Sequence, residues 1–357
     1  MTISAEPMLV AFYLPQFHAI AENDRKYGVG FTEWDNVRRA VPLFHGHMQP
    51  HVPHRCLGYY SLLDEKFLQF QHELAYSCGV RAFCYYYYNF SGHKLLYRPI
   101  DLAVGNPALR NAFCLCWAHM SWHDNRENRT EDNLFLPQVY SEDNAVRMAA
   151  DMMHYFRSPR HIFVDGKPLF LIWAPEKNPM MAEYAGIWRE AAKKAGFAGV
   201  YLVGVEAYME VLPEMLGLDC MLEFAPNWTR EALISASGEQ PKLYDYLKTL
   251  RFMREKPLPS YHRLRCAFPG WDNTPRRGKK GIVFVNEDPE AFREQLCWLV
   301  RYTREVLPRE LQYVFINAWN EWGEGCHLEP DKRQGFTLLK IVRECLEGAV
   351  GLDTDYI

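Results

Sequence analysis

Apolar runs recur along the chain at the spacing of βα units, each short run followed by a stretch with helical periodicity. Strands are predicted over 8–14, 80–90, 112–117, 168–173, 200–206, 220–224 and 262–268, with an eighth opening at Tyr313. Several of these runs are apolar at nearly every position, the pattern of strands buried on both faces of a parallel sheet. Helices are predicted over 62–79, 141–156, 180–195, 289–307 and 335–346. In the first, Leu63, Phe67, Phe70 and Leu74 share a face and Gly79 terminates it; in the second, Ser141 caps a first turn rich in acidic residues. Residues 226–260 are poorly periodic and rich in Lys, Arg and Pro, and read as a loop with helical pieces.

Eight strands alternating with helices predict an α/β protein, a (β/α)8 TIM barrel with long βα loops forming one domain over 1–357. A doubly wound open sheet is the alternative, but no G-x-G-x-x-G or Walker A sequence follows any strand. The long stretch between the first strand and the first helix, carrying GVGFTEWDNV and FHGHMQPHVP, fits a barrel only if that loop is functional.

The eighth strand runs into the densest polar and aromatic stretch of the chain. After Val314, Phe315, Ile316 and Ala318 come Asn317, Trp319, Asn320, Glu321, Trp322, Glu324, His327 and Glu329. In a barrel this is the strand end where chemistry is kept. Glu321 and Glu324 are three apart and share a face if the segment turns helically, so two carboxyl groups could flank one bond. Acetal hydrolysis near neutral pH needs one carboxyl protonated for the leaving oxygen and one ionised at the sugar carbon, and a close pair separates the two pKa values. An isolated E-x-x-E more often caps a helix or pairs with cations such as Lys332 and Arg333. Placement at the end of an apolar strand between tryptophans favours the catalytic reading.

Other strand ends and loops supply the candidate substrate-binding residues. From the first loop these are Tyr13, Gln16, His18, Glu33, Trp34, Gln49 and His51; from the third, Trp117, His119 and Trp122; from later ones, Glu206, Glu223 and Trp271. Asn317, Asn320, Trp322 and Glu329 join them from the last. Indole faces suit sugar rings and amides suit hydroxyls. Glu206 and Glu223 could instead neutralise neighbouring arginines, and the tyrosine run 85–88 reads as core. The basic segment 276–280 reads as a solvated loop. His45, His47, His51 and His54 lie close together, but no recognised ligand pattern accompanies them, so neither metal nor cofactor is expected.

A net charge of −4 gives no electrostatic reason to expect nucleic acid or an anionic membrane as partner. The N-terminus lacks a signal-peptide pattern and no run is long enough to span a bilayer, so a cytoplasmic location is expected. Ten cysteines without a C-x-x-C pair, many of them inside apolar runs, agree with that expectation. Composition says nothing of oligomeric state. Aromatic residues make up 15% of the chain, which suits both carbohydrate stacking and an aromatic core.

The motifs AFYLPQFH, GVGFTEWDNV, HMQPHVP, GYYSLLD, FCYYYYNFSGHKLL, FCLCWA, VDGKPLFLIW and NAWNEWGEGCHLEPD, in this order, resemble the WbsX-type proteins from Ala11 to about Phe336. More narrowly, the N-E-W-x-E-G-x-x-x-E-P pattern at 320–330 resembles glycoside hydrolase family 99, the endo-α-mannosidases. The resemblance implies a (β/α)8 barrel and retaining hydrolysis of an α-manno-configured bond, an α-mannoside or α-rhamnoside, in a polysaccharide or oligosaccharide. It implies that Glu321 acts as base on the sugar's 2-hydroxyl, giving a 1,2-anhydro intermediate, and that Glu324 is general acid and base. WbsX-type proteins usually read W-A-N-E-x-W after the third strand, whereas here Trp117-Ala118-His119-Met120-Ser121-Trp122 lacks the Asn and Glu. They are generally described as glycosyltransferases of O-antigen assembly, which makes a transferase the alternative; a non-catalytic carbohydrate-binding barrel is the second.

Overall fold

The computed structural model describes residues 6–124 and 133–351, so part of the polar segment after the third strand lies outside the described residues. Eight strands form the centre: β1 (Met8–Tyr13), β2 (Val80–Phe90), β3 (Ala112–Trp117), β4 (Lys167–Trp173), β5 (Tyr201–Glu206), β6 (Cys220–Glu223), β7 (Arg263–Ala267) and β8 (Tyr313–Ile316). Each pairs in parallel with the next. The sheet closes where β8 returns to β1, from Met8 opposite Tyr313 to Ala11 opposite Ile316. All eight predicted strands are present, and they form the closed (β/α)8 barrel.

The outer layer is α1 (Glu65–Ser77), α2 (Arg98–Gly105), α3 (Glu142–Phe156), α4 (Met181–Lys194), α5 (Tyr246–Glu255), α6 (Pro289–Val306) and α7 (Thr337–Gly351). The β5–β6 crossover is only a 3-10 turn, Pro213–Leu216. Caps fix the boundaries: Asp64 accepts from Lys66 N at 3.0 Å and starts α1 later than the periodicity implies, while Ser141 accepts from Asn144 N at 3.2 Å as its position predicts. Among the described residues, no helix is long and apolar enough to cross a membrane. Cys297 on α6 and Cys345 on α7 form a disulfide, a pairing that the cysteine reading did not anticipate.

Residues 226–260 are more ordered than their composition suggests. Leu233–Ser235 pairs antiparallel with Lys242–Asp245, which pairs in parallel with Ile282–Val285, and α5 follows. The strands are short and the first is largely exposed, so they left no apolar run to read.

Pleating divides each barrel strand into two sets. On β2, Tyr86 and Tyr88 face the mouth of the barrel, while the Tyr85 hydroxyl meets His72 of α1 at 2.8 Å and Tyr87 packs edge-on against Tyr155 of α3. Phe12 of β1 seals the floor against Tyr86, Phe224 and Phe315, with ring centroids 5.3, 5.8 and 5.7 Å away.

Trp117, a substrate-binding candidate, belongs to the outward set. It lies opposite Tyr87 in register, is 1% exposed, stacks on Tyr184 of α4 and donates its indole N–H to the Asn89 carbonyl at 3.1 Å. Trp117→Ala is therefore expected to lower the unfolding free energy by about 3–5 kcal/mol, read from urea denaturation. A loss below about 1 kcal/mol would contradict a core role.

Candidate active site

After β8 the chain makes a tight hairpin. Asn320 and Glu321 pair antiparallel with His327 and Cys326, a 3-10 turn covers Trp322–Glu324, and Gly325 takes φ 58°. The helical turn expected between the two glutamates is this single turn. Glycine is required at both 323 and 325 by close approach. A Cβ on Gly323 would lie 1.8 Å from Glu33 Oε1, and one on Gly325 would lie 3.0 Å from the Asp272 backbone nitrogen.

What crowds Gly323 is the centre of the site. Arg276 donates from Nε to Glu33 Oε1 at 2.8 Å and from Nη2 to Glu321 Oε2 at 2.8 Å, while its Nη1 lies 2.7 Å from Glu324 Oε1. One guanidinium, on the β7–β8 connection, thus holds three carboxyl groups, one from the first loop and two from the last hairpin. Arg276 was read as part of a solvated basic loop; instead its side chain is 15% exposed. Neighbouring Arg277, Lys279 and Lys280 mask it in the sequence, and only the three-dimensional convergence identifies it.

Burial raises the Glu321 carboxyl to about 8, with Arg276 pulling down and Glu324 and Glu33 pushing up. Burial also raises Glu324, opposed by Arg276 and reinforced by Glu33. Three carboxylates on one cation carry surplus negative charge in an enclosed space, so the group retains a proton near neutral pH.

These groups line a cavity of about 400 Å³ at the carboxyl ends of the strands. Its walls are aromatic: Tyr86, Tyr88, Trp122, Trp173, Phe224, Trp228 and Trp271. Gln16, Glu33, Trp122, Trp271, Glu321 and Glu324 are the sequence candidates that meet there. Tyr86 and Tyr88, read as core, line it as well, together with Met120 and Tyr208.

The remaining candidates lie behind the wall. Glu206 and Glu223 are paired in register on the outward face, one pleat away from Ala207 and Phe224, which line the cavity. Glu206 accepts from the Tyr261 hydroxyl, and Glu223 lies 3.2 Å from both Arg265 and Lys256, so the neutralising role describes them. His119 meets the Tyr140 hydroxyl at 2.7 Å, leaving Met120 to face the cavity. His18 is buried, 3% exposed, and does not line the cavity. Asn317 donates to the Ala225 carbonyl at 2.8 Å, and Asn320 bridges the Leu14 N–H and carbonyl at 2.7 and 3.0 Å. Gln49 joins His47 on Asp272 Oδ2, both at 2.6 Å, a clamp that fixes the segment before Arg276. His51 faces His327 across 3.0 Å.

Tyr13, Trp34, Trp322 and Glu329 form the support beneath the hairpin. Trp34 donates to the Tyr60 carbonyl at 2.7 Å and lies 5.6 Å from Trp322, ring to ring. Glu329 accepts from the Trp322 indole and the Tyr60 hydroxyl, both at 2.7 Å, and from Gln71, whose Oε1 accepts from Tyr13. Glu329 therefore positions the hairpin rather than touching the cavity.

A family model described as glycosyltransferase WbsX matches residues 9–342. The chain belongs to this family. A protein called uncharacterized WxcX from Xanthomonas campestris pv. campestris strain B100 is 37% identical over 356 residues, 97% of this chain and 50% of that protein. The chain thus spans about half the length of the curated relatives it matches. Among solved structures, a family GH99 endo-α-mannosidase from Bacteroides thetaiotaomicron superposes with TM-score 0.56 at 15% identity, over 96% of this chain and 97% of that one. A structure titled glycoside hydrolase-like protein gives TM-score 0.60 at 12% identity, covering 97% and 95%. At these identities the likeness shows the fold, and the matched family is the one described as glycosyltransferase WbsX.

Burial raises Glu329 to about 7, opposed by its hydrogen bonds from Gln71, Trp322 and Tyr60. This lies above its ordinary value of 4.5. The folded chain thus keeps a proton on Glu329 that the unfolded chain has released, and the Glu329 contribution to stability falls as pH rises from about 4.5 through about 7, then levels. Glu329→Gln is expected to remove one proton's share of that slope in urea unfolding across the window. An unchanged slope would place the proton elsewhere.

Proposed function

We propose that the chain is a retaining glycoside hydrolase acting on an α-manno-configured bond, with Glu321 and Glu324 as the working pair. The observation that carries this reading is that both carboxyls are held by neighbouring nitrogens of one guanidinium in an aromatic cavity. Its volume of about 400 Å³ falls within the usual range for small-molecule sites. The solved endo-α-mannosidase of the same fold, with the N-E-W-x-E-G-x-x-x-E-P likeness, supports α-mannoside or α-rhamnoside as substrate.

In this scheme Glu321 removes the proton of the sugar's 2-hydroxyl, whose oxygen attacks the anomeric carbon. Glu324 protonates the leaving oxygen, and a 1,2-anhydro sugar results. Water, deprotonated by Glu324, then opens the ring as Glu321 returns its proton, so the configuration is retained. The scheme needs Glu324 protonated and Glu321 ionised, whereas burial raises both carboxyls. A sugar hydroxyl donating to Glu321 stabilises its carboxylate and lets the proton pass to Glu324. Glu33 remains on Arg276 and keeps the cation oriented.

The second reading is a sugar-nucleotide-dependent transferase, favoured by the description the matched family carries. The wall groups weigh against it. Glu33, Asp124, Glu321 and Glu324 outnumber Arg276 and Arg277 on the wall, a poor setting for a diphosphate.

Purified protein incubated with α-mannan and with rhamnose-rich polysaccharide, with and without nucleotide sugars, separates the readings by mass spectrometry of the products. New reducing ends without nucleotide are expected, and Glu324→Gln should lower their rate about 10²–10⁴-fold with circular dichroism unchanged. Sugar addition that requires a nucleotide donor would establish the transferase. Absence of product in every arm would favour the binding barrel.

A further inference from the structure

Outside the cavity, a second group of chemically competent side chains converges where the first loop crosses the segment after the last hairpin. His51, His327 and Asp331 each bring a ligand-capable atom within 4.8 Å of the other two. We infer that these three residues form a binding site for a zinc-like divalent cation. The inference is independent of the glycosidase reading.

The hydrogen bonds around the cluster select the form that binds metal. His327 Nδ1 lies 2.9 Å from the Glu329 carbonyl oxygen. A carbonyl can only accept, so Nδ1 carries the proton and the lone pair is on Nε2. That nitrogen faces His51 Nδ1 at 3.0 Å. A carbonyl behind the distal imidazole nitrogen is the usual support of a metal-bound histidine. Asp331 is oriented in the same manner: its Oδ1 accepts from the backbone N–H groups of Arg333 and Gln334 at 2.9 and 2.6 Å, leaving Oδ2 for an ion.

Spacing agrees. Two nitrogens about 2.0–2.1 Å from a tetrahedral zinc lie about 3.3 Å apart, so the observed pair needs little movement. Both strands of chain are already fixed, because His54 N–H donates to the Pro330 carbonyl and Lys332 N–H to the Val52 carbonyl, each at 2.9 Å. His327 and Asp331 are 4% and 7% exposed. Beside them a cavity of about 370 Å³, lined by His51, Asp272, Glu287 and Arg333, gives access and room for water as a further ligand. Across that cavity Arg333 lies 3.5 Å from Glu287 and Asp272 is paired with His47, so Asp331 is the carboxylate that meets the two rings. A plain His–His hydrogen bond accounts for the 3.0 Å contact but not for a buried carboxylate within 4.8 Å of both rings.

The ion would join loop 47–54 to the hairpin that carries Glu321 and Glu324. His327 is paired with Asn320, and its ring stacks on Trp322 with centroids 3.7 Å apart.

The test is titration of chelator-treated, dialysed protein with Zn²⁺ by calorimetry and with Co²⁺ by visible absorption, alongside thermal unfolding. One equivalent is expected to bind and raise Tm. His51→Ala and Asp331→Asn should each weaken that binding by about tenfold or more. His54→Ala should not, although His54 and Cys56 lie 3.1 Å apart nearby and could capture zinc adventitiously. His51 is only half-buried, so His51→Ala keeps the test available should Asp331→Asn fail to fold. Absence of a one-equivalent isotherm, or one that survives both substitutions, would overturn the inference.

Discussion

The guanidinium of Arg276 is the constraint on which the site depends. Without it, Glu33, Glu321 and Glu324 would be three carboxylates crowded in an enclosed, largely apolar space, and mutual repulsion and lost hydration would drive them apart or protonate them all. With it, they are held at fixed positions while the pKa values of Glu321 and Glu324 stay raised. The same contact ties three distant parts of the chain together, so the geometry of the pair depends on loops that have no other reason to meet.

A second layer keeps this centre in place without entering it. Asp272, held by His47, Gln49 and Thr274, fixes the segment that presents Arg276. Burial alone would raise its pKa, but those hydrogen bonds leave it below its ordinary value. Glu329 holds Trp322 from below through a buried amide and two hydroxyl-bearing rings. Much of the polar density after β8 is thus support for a short hairpin rather than contact with a ligand.

The fold was legible because a parallel barrel writes itself as apolar runs separated by helical periods, and the barrel strands other than β7, which carries Arg263 and Arg265, follow that rule. Glu321 and Glu324 were legible because they are close in sequence as well as in space. Arg276 was hidden by the basic residues around it, since a charge run carries no mark of the one member that turns inward. Glu206, Glu223 and Trp117 were misplaced by a single pleat: a strand end identifies the neighbourhood of a site, but whether residue i or i+1 faces the ligand follows from register, which pairing decides. The sheet within 226–260 escaped because its strands are short and half-exposed.

The alternation on β2 separates two duties along one strand. Tyr85 and Tyr87 belong to the helix layer, Tyr86 and Tyr88 to the cavity. Because neighbours in sequence face opposite environments, the wall that meets a ligand can be rewritten at every second position while the packing that holds the barrel closed is left untouched. A scaffold of this kind can change which molecule it accepts without first risking its own folding.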